Sequence, residues 1–220
     1  MTRPTFQQVY QQLFDHFGPQ HWWPAKSPFE VVIGAILTQN TAWSNVEKAI
    51  DNLRESGHLT AQALNGISQQ ELEPLIQPSG FFRQKSARLK KLAALLVEQH
   101  QGEIERFCHG DLEEARQRLL TLKGIGPETA DSILLYACER PSFVVDAYTR
   151  RLFSRLRLLR GDEDYAHIRQ RFMDNLPEDT HLFNEYHALI VAHCKRHCRK
   201  RKPECPACPL LKLCPFALTI

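Results

Sequence analysis

Residues 122–130 read Leu122-Lys123-Gly124-Ile125-Gly126-Pro127-Glu128-Thr129-Ala130. A helical apolar face over Leu112 to Leu122 runs into Gly124, and a second opens near Pro127 and continues from Thr129 to Cys138. Proline suits a first helical position, where its missing N–H is not needed. Glycines at 124 and 126 let backbone N–H groups converge on an anion at the start of the second helix, while Ile125 plugs the gap between the two. Such a hairpin grips a phosphate without reading base sequence. A plain structural turn is the competing reading of the same Gly-x-Gly.

Working outward, helical spacing recurs and strand signals are scarce. Phe6, Val9, Tyr10, Leu13, Phe14 and Phe17 mark one helical face, and Val32, Ile33, Ile36, Leu37, Val46, Ile50 and Leu53 continue the pattern between Phe29 and Leu53. Further faces run from Leu89 to Val97 and from Leu182 to His193, with breakers such as Pro78-Ser79-Gly80, Gly102, Pro141 and Gly161 between them. Phe143-Val144-Val145 is the one β-branched run of note. The pattern predicts an all-α protein of about ten helices.

The chain has 220 residues, 43% of them apolar, enough to bury a real core. It shows no membrane span, and its polar N-terminus lacks the apolar core of a secretion signal, so a cytoplasmic protein is expected. The net charge of +3 names no partner by itself. Its distribution says more. Arg83 to Lys91 holds five cations, Arg150 to Arg160 five and Lys195 to Lys202 six, all without an acid. A charge run is usually a solvated helix face, yet three acid-free runs on a nearly neutral chain suggest contact with a polyanion.

Four of the seven cysteines follow the spacing Cys198-x6-Cys205-x2-Cys208-x5-Cys214, beside Pro203, Pro206, Pro209 and Pro215. Four thiols on a stiff loop can hold tetrahedral zinc or an iron–sulfur cluster, and the single close pair leans towards a [4Fe–4S] cluster. Cys108, Cys138 and Cys194 are then packing thiols, since an odd count with no export signal argues against disulfides. Between the first two ligands stand Arg199, Lys200, Arg201 and Lys202, which either clamp phosphate or offset the charge of the thiolates. Asp146, after Phe143-Val144-Val145 and before a basic helix, caps that helix or belongs to an active site; the physics of the sequence alone favours the cap.

Together these motifs resemble the endonuclease III superfamily of DNA glycosylases over nearly the whole chain. Leu37-Thr38-Gln39-Asn40 is similar to the family's Gln-bearing helix end, and Gly80-Phe81-Phe82-Arg83-Gln84-Lys85 to its DNA-wedging loop. His21-Trp22-Trp23-Pro24, Pro78-Ser79-Gly80-Phe81 and Lys123-Gly124-Ile125-Gly126 look most like the 3-methyladenine branch. The resemblance implies a two-domain helix–hairpin–helix glycosylase fold: residues 24–138 carry the hairpin, and residues 1–23 with 139–220 carry the cluster loop, with Asp146 in the cleft between them. It implies double-stranded DNA with damaged bases as partner, a monomer working at the nucleoid, and Cys198, Cys205, Cys208 and Cys214 as ligands of a [4Fe–4S] cluster.

It also implies roles. Asp146 is the catalytic carboxylate, stabilising positive charge on the sugar as the N-glycosidic bond breaks. Bifunctional members carry a lysine where this chain has Glu128, so a monofunctional enzyme with water as nucleophile is expected. Lys123, Gly124, Ile125, Gly126, Gln39 and the Arg199–Lys202 loop should contact DNA, with Phe81 and Phe82 filling the void left by a flipped base. Trp22, Trp23 and Trp43, with Glu128, are candidates for a pocket that stacks on a cationic alkylated base; the bland reading makes at least one tryptophan core. Rival readings are a glycosylase for uracil, mismatched thymine or oxidised pyrimidines, with or without lyase activity, and a non-catalytic DNA-binding iron–sulfur protein.

Overall fold

The structure is a computed structural model and describes residues 3–219. Among these there is no strand, and the Phe143-Val144-Val145 run is buried coil. The helices are α1 (Phe6–Phe17), α2 (Pro28–Leu37), α3 (Trp43–Glu55), α4 (Ala61–Gly66), α5 (Gln69–Ile76), α6 (Phe82–His100), α7 (Ile104–Cys108), α8 (Leu112–Thr121), α9 (Pro127–Ser132), α10 (Ala147–Arg155), α11 (Tyr165–Asn175) and α12 (Thr180–Arg196). Eight of them open on a Ser, Thr or Asp whose side chain accepts the N–H three residues on: Thr5, Ser27, Thr60, Ser68, Asp111, Asp146, Asp164 and Asp179. Each such cap stabilises its helix by about 1 kcal/mol. The apolar run expected between Phe29 and Leu53 is two helices, parted at Thr38–Ala42 where Asn40 takes a left-handed turn.

The chain divides into two compact units, one from Trp23 to Arg140, the other formed by the segments up to Trp22 and from Pro141. In the first unit α2 is apolar on every side and wholly buried from Val31 to Leu37. Its Gly34 leaves room for the Trp23 ring, which an added Cβ would approach to 3.2 Å. Asp131, fully buried at the end of α9, is paired with Arg116 of α8 at 2.8 Å and so fastens the two helices flanking the hairpin. The second unit is built on an aromatic core. Phe143 stacks on Phe172 at 3.9 Å, Phe6 meets the edge of Phe172, and the Tyr186 hydroxyl donates to the Phe6 carbonyl at 2.7 Å.

One expectation is corrected here. Cys108 and Cys138, read as separate packing thiols, form a disulfide. Cys108 ends α7, and Cys138 follows the π-helical segment Ile133–Ala137 that extends α9. Thirty residues apart in sequence, their Cα atoms stand 5.2 Å apart, a proximity set by the fold rather than by any local spacing. Arg140 holds the same corner, donating to the carbonyls of Cys108 at 2.8 Å and Gly110 at 3.0 Å.

Candidate functional site

The hairpin begins where α8 stops at Thr121 and ends where Pro127 opens α9. Gly124 has φ +95°, a conformation that favours glycine, and a Cβ there would fall 2.2 Å from the Arg88 side chain, which would have to move. Ile125 is buried between the helices, its N–H bonded to the Leu122 carbonyl at 2.9 Å. Gly126 caps α9 with open space where a side chain would stand, and Lys123 and Glu128 are exposed to either side. Gln39 is drawn into this hairpin. Its amide donates to Thr129 Oγ1 at 2.7 Å and to the Gly124 carbonyl at 3.3 Å, while its oxygen accepts from Arg88. In this state Gln39 braces the turn.

The 3₁₀ segment Gln77–Ser79 leads into two consecutive residues of positive φ, Gly80 at +68° and Phe81 at +47°. Phe81 is 62% exposed, while Phe82, the first residue of α6, is half-buried; the pair therefore splits, and only Phe81 offers free apolar bulk.

Asp146 caps α10, as the sequence physics favours. Oδ1 accepts the Thr149 N–H at 2.7 Å and the Thr149 hydroxyl at 2.9 Å, and Oδ2 faces His187 Nε2 of α12 at 3.6 Å. Burial pushes the carboxyl up, but His187 and the Thr149 donors outweigh it, and the net effect holds Asp146 below the usual carboxylate range. The result is a carboxylate that is largely buried and ionised, with one oxygen anchored. His187 and Thr149 are site residues the sequence reading missed. The Asp-x-x-Thr cap spacing could have found Thr149; His187 sits on an apolar helix face, where a histidine reads as core.

The four C-terminal cysteines line one pocket with Leu152, His193, Leu210 and Phe216. Arg155 Nη1 lies 3.2 Å from Cys198 Sγ, and His193 Nε2 3.8 Å from Cys208 Sγ. The hydrogen bond with Cys194 pulls Cys198 down to about 4, whereas burial pushes Cys205 and Cys214 up and Cys208 up to about 11. Soft sulfurs in an apolar pocket with a guanidinium alongside fit a thiolate-held inorganic group, whose binding would displace thiol protons. Among the described residues no three His, Cys, Asp or Glu side chains stand close enough to share one metal ion. Cys194 is buried and is a packed thiol.

Charge runs translate poorly into surface. In the first, Lys85 is buried, Lys90 Nζ caps α4 through the carbonyls of Asn65 at 2.6 Å and Ile67 at 2.5 Å, and Arg88 is spent on Gln39. In the second, Arg150 bonds the Glu163 carbonyl at 2.7 Å, Arg151 the Cys198 carbonyl at 2.8 Å, and Arg155 the Arg199 carbonyl at 2.9 Å. Half of the ten cations in these two runs thus satisfy backbone carbonyls inside the fold, while Arg83, Lys91, Arg157 and Arg160 stay exposed. The third run differs, with Arg199, Lys200, Arg201 and Lys202 all exposed. Their loop is tied at its base by the Glu204 N–H to His197 carbonyl bond of 2.9 Å.

The tryptophans divide between the two units. Trp23 meets Trp43 edge to face at 5.2 Å and lies 5.1 Å from Tyr136, all in one unit. Trp22 lines an open pocket of the other unit with Tyr10, His21, Asp179 and Glu185.

With this geometry in place, the relationships are informative. Residues 33–178 match the HhH-GPD superfamily base excision DNA repair proteins. The chain belongs to that superfamily. It is 47% identical over 208 residues to the "Putative DNA repair glycosylase" of Methanocaldococcus jannaschii, covering 94% of each chain. A non-covalent endonuclease III–DNA complex superposes with a TM-score of 0.83 at 26% identity, over 97% of this chain and 95% of that one. The H. pylori 3-methyladenine DNA glycosylase bound to 1,N6-ethenoadenine gives 0.74 at 29% identity, over 85% of this chain and 95% of that one. The all-α fold expected of this HhH-GPD chain is the observed one. Among its described residues, no helix is long and apolar enough to cross a membrane.

Proposed function

We propose that this HhH-GPD protein is a monofunctional DNA glycosylase that flips alkylated bases such as 3-methyladenine out of duplex DNA and hydrolyses their N-glycosidic bond. The observation that carries the reading is Asp146, a carboxylate kept ionised in a largely buried site with Oδ1 fixed by Thr149. A fixed anion stabilises positive charge as it develops on the sugar and can orient the attacking water. Glu128 stands where a Schiff-base lysine would be needed for strand cleavage, and a carboxylate cannot form that imine. An alkylated purine is already cationic and leaves with little acid assistance, in keeping with a site whose principal group is one carboxylate. Likeness to a 3-methyladenine glycosylase supports the substrate class. In this reading Phe81 fills the vacated stack, the hairpin grips the phosphates, and Arg199 to Lys202 add charge.

Cys198, Cys205, Cys208 and Cys214 would hold a [4Fe–4S] cluster, a structural group that fixes the basic loop and takes no part in base release. A visible charge-transfer absorption with about four irons per chain is the expected signature; a colourless protein with one zinc would replace the cluster with a single ion. A second reading, a lesion such as an oxidised pyrimidine, draws on the superposition with endonuclease III. A panel of duplexes separates the two. Release of 3-methyladenine, with no borohydride-trapped DNA adduct, is expected; release of an oxidised pyrimidine with a trapped adduct would replace the proposal with the second reading.

A further inference from the structure

Lys85 is the one cation of its run with a side chain closed off from solvent, at 1% exposure. Its ammonium donates to two carbonyls, Leu37 at 2.8 Å and Ser79 at 2.7 Å, and to no carboxylate among the described residues. A buried charge satisfied only by carbonyls is a poor device for stability, because an apolar side chain of like volume generally does as well or better. Its partners suggest another use. Leu37 is the last residue of α2, two before Gln39; Ser79 precedes the Gly80-Phe81 turn. The Lys85 N–H also bonds the Phe81 carbonyl at 3.0 Å, so one residue holds the backbone on both sides of Gly80 and Phe81. An aromatic residue at positive φ, exposed on a turn, persists only where its surroundings over-determine it.

We propose that Lys85 is a positioning residue for base extrusion, locking the Phe81 turn and the Gln39 corner into one geometry through the carbonyls of Ser79 and Leu37. The proposal rests on the reading of Phe81 as the wedge. A wedge does its work by entering the stack at a set depth and angle, and a turn free to relax its positive φ would lie flat against the duplex. Lys85 removes that freedom before DNA arrives, so binding need not supply the ordering.

The test uses the full-length protein and a duplex carrying 2-aminopurine beside a tetrahydrofuran abasic-site analogue, which reports unstacking without chemistry. Wild type should raise the fluorescence on binding, and Phe81→Ala should abolish the rise. Lys85→Met should bind the duplex within about twofold of wild-type affinity yet lose at least fivefold of the rise, a split that general destabilisation does not produce in a variant still folded by circular dichroism. Should Lys85→Met not fold, Lys85→Gln, which reaches one carbonyl at a time, carries the same expectation with a partial loss. A full rise with either folded Lys85 variant, while Phe81→Ala abolishes it, overturns the proposal and leaves the wedge standing. A full rise with Phe81→Ala overturns the wedge itself.

Discussion

Asp146 and Lys85 are both buried charges whose pKa is lowered, and the same direction means opposite things. For the carboxylate it means that His187 and Thr149 hold the charge in place; for the ammonium, drawn down to about 8 by burial and by Arg88, it means the charge is close to being given up. The first arrangement anchors one oxygen on Thr149 and leaves the other facing His187. The second spends its donors on carbonyls and fixes backbone. A buried charge is thus informative only through its partners.

The largest expected effect breaks the first member of that pair. Asp146→Asn keeps the helix cap, since an amide oxygen still accepts from Thr149, but removes the charge. Single-turnover base release should fall by about 10²–10³-fold or more, with duplex affinity unchanged. A rate within a few-fold of wild type would assign the chemistry elsewhere. The sign of the pH dependence follows from the lowered pKa. Folded-state Asp146 gives up its proton below the unfolded value, so its stabilising contribution is complete above that value and is lost as pH falls through the folded one. Base release should therefore show no loss from this group between pH 8 and pH 5.

Lys85 provides the contrasting titration. Its folded value of about 8 lies below the ordinary 10.5, so between the two the unfolded chain binds more protons and stability from this group rises with pH. Melting wild type and Lys85→Met in parallel from pH 7 to pH 10 should show the wild type gaining on the variant by a few degrees. A constant gap would mean that the ammonium is not desolvated as its burial implies.

How much of this was legible in the sequence follows the range of the interactions. The hairpin was written locally: the φ of Gly124 favours glycine, Pro127 must open a helix, and Ile125 must fill what lies between. The helical class and the helix capped by Asp146 were readable for the same reason. What escaped were pairings made by packing across long separations. Lys85 lies 48 residues from Leu37, and Cys108 lies 30 from Cys138. Nothing in the spacing of a charge run tells which cations turn inward, because carbonyl acceptors are everywhere along a chain and only the fold decides which of them lacks a partner. His187, 41 residues after Asp146, belongs to the same class of hidden neighbour.

The smallest effect separates inward from outward charge by salt. Each cation that neutralises a DNA phosphate steepens the dependence of log affinity on log salt by about 0.9, through release of a condensed counterion. Lys200 and Lys202 are exposed on the cysteine loop, whereas Lys90 has Nζ on three carbonyls at the end of α4. Replacing Lys200 and Lys202 with alanine should lower the slope by about one to two and leave the melting temperature nearly unchanged. Lys90→Met should do the reverse, lowering the melting temperature by a few degrees and leaving the slope alone. If both variants changed the slope equally, the two runs would be one electrostatic surface, and the division between structural and DNA-facing cations would fail.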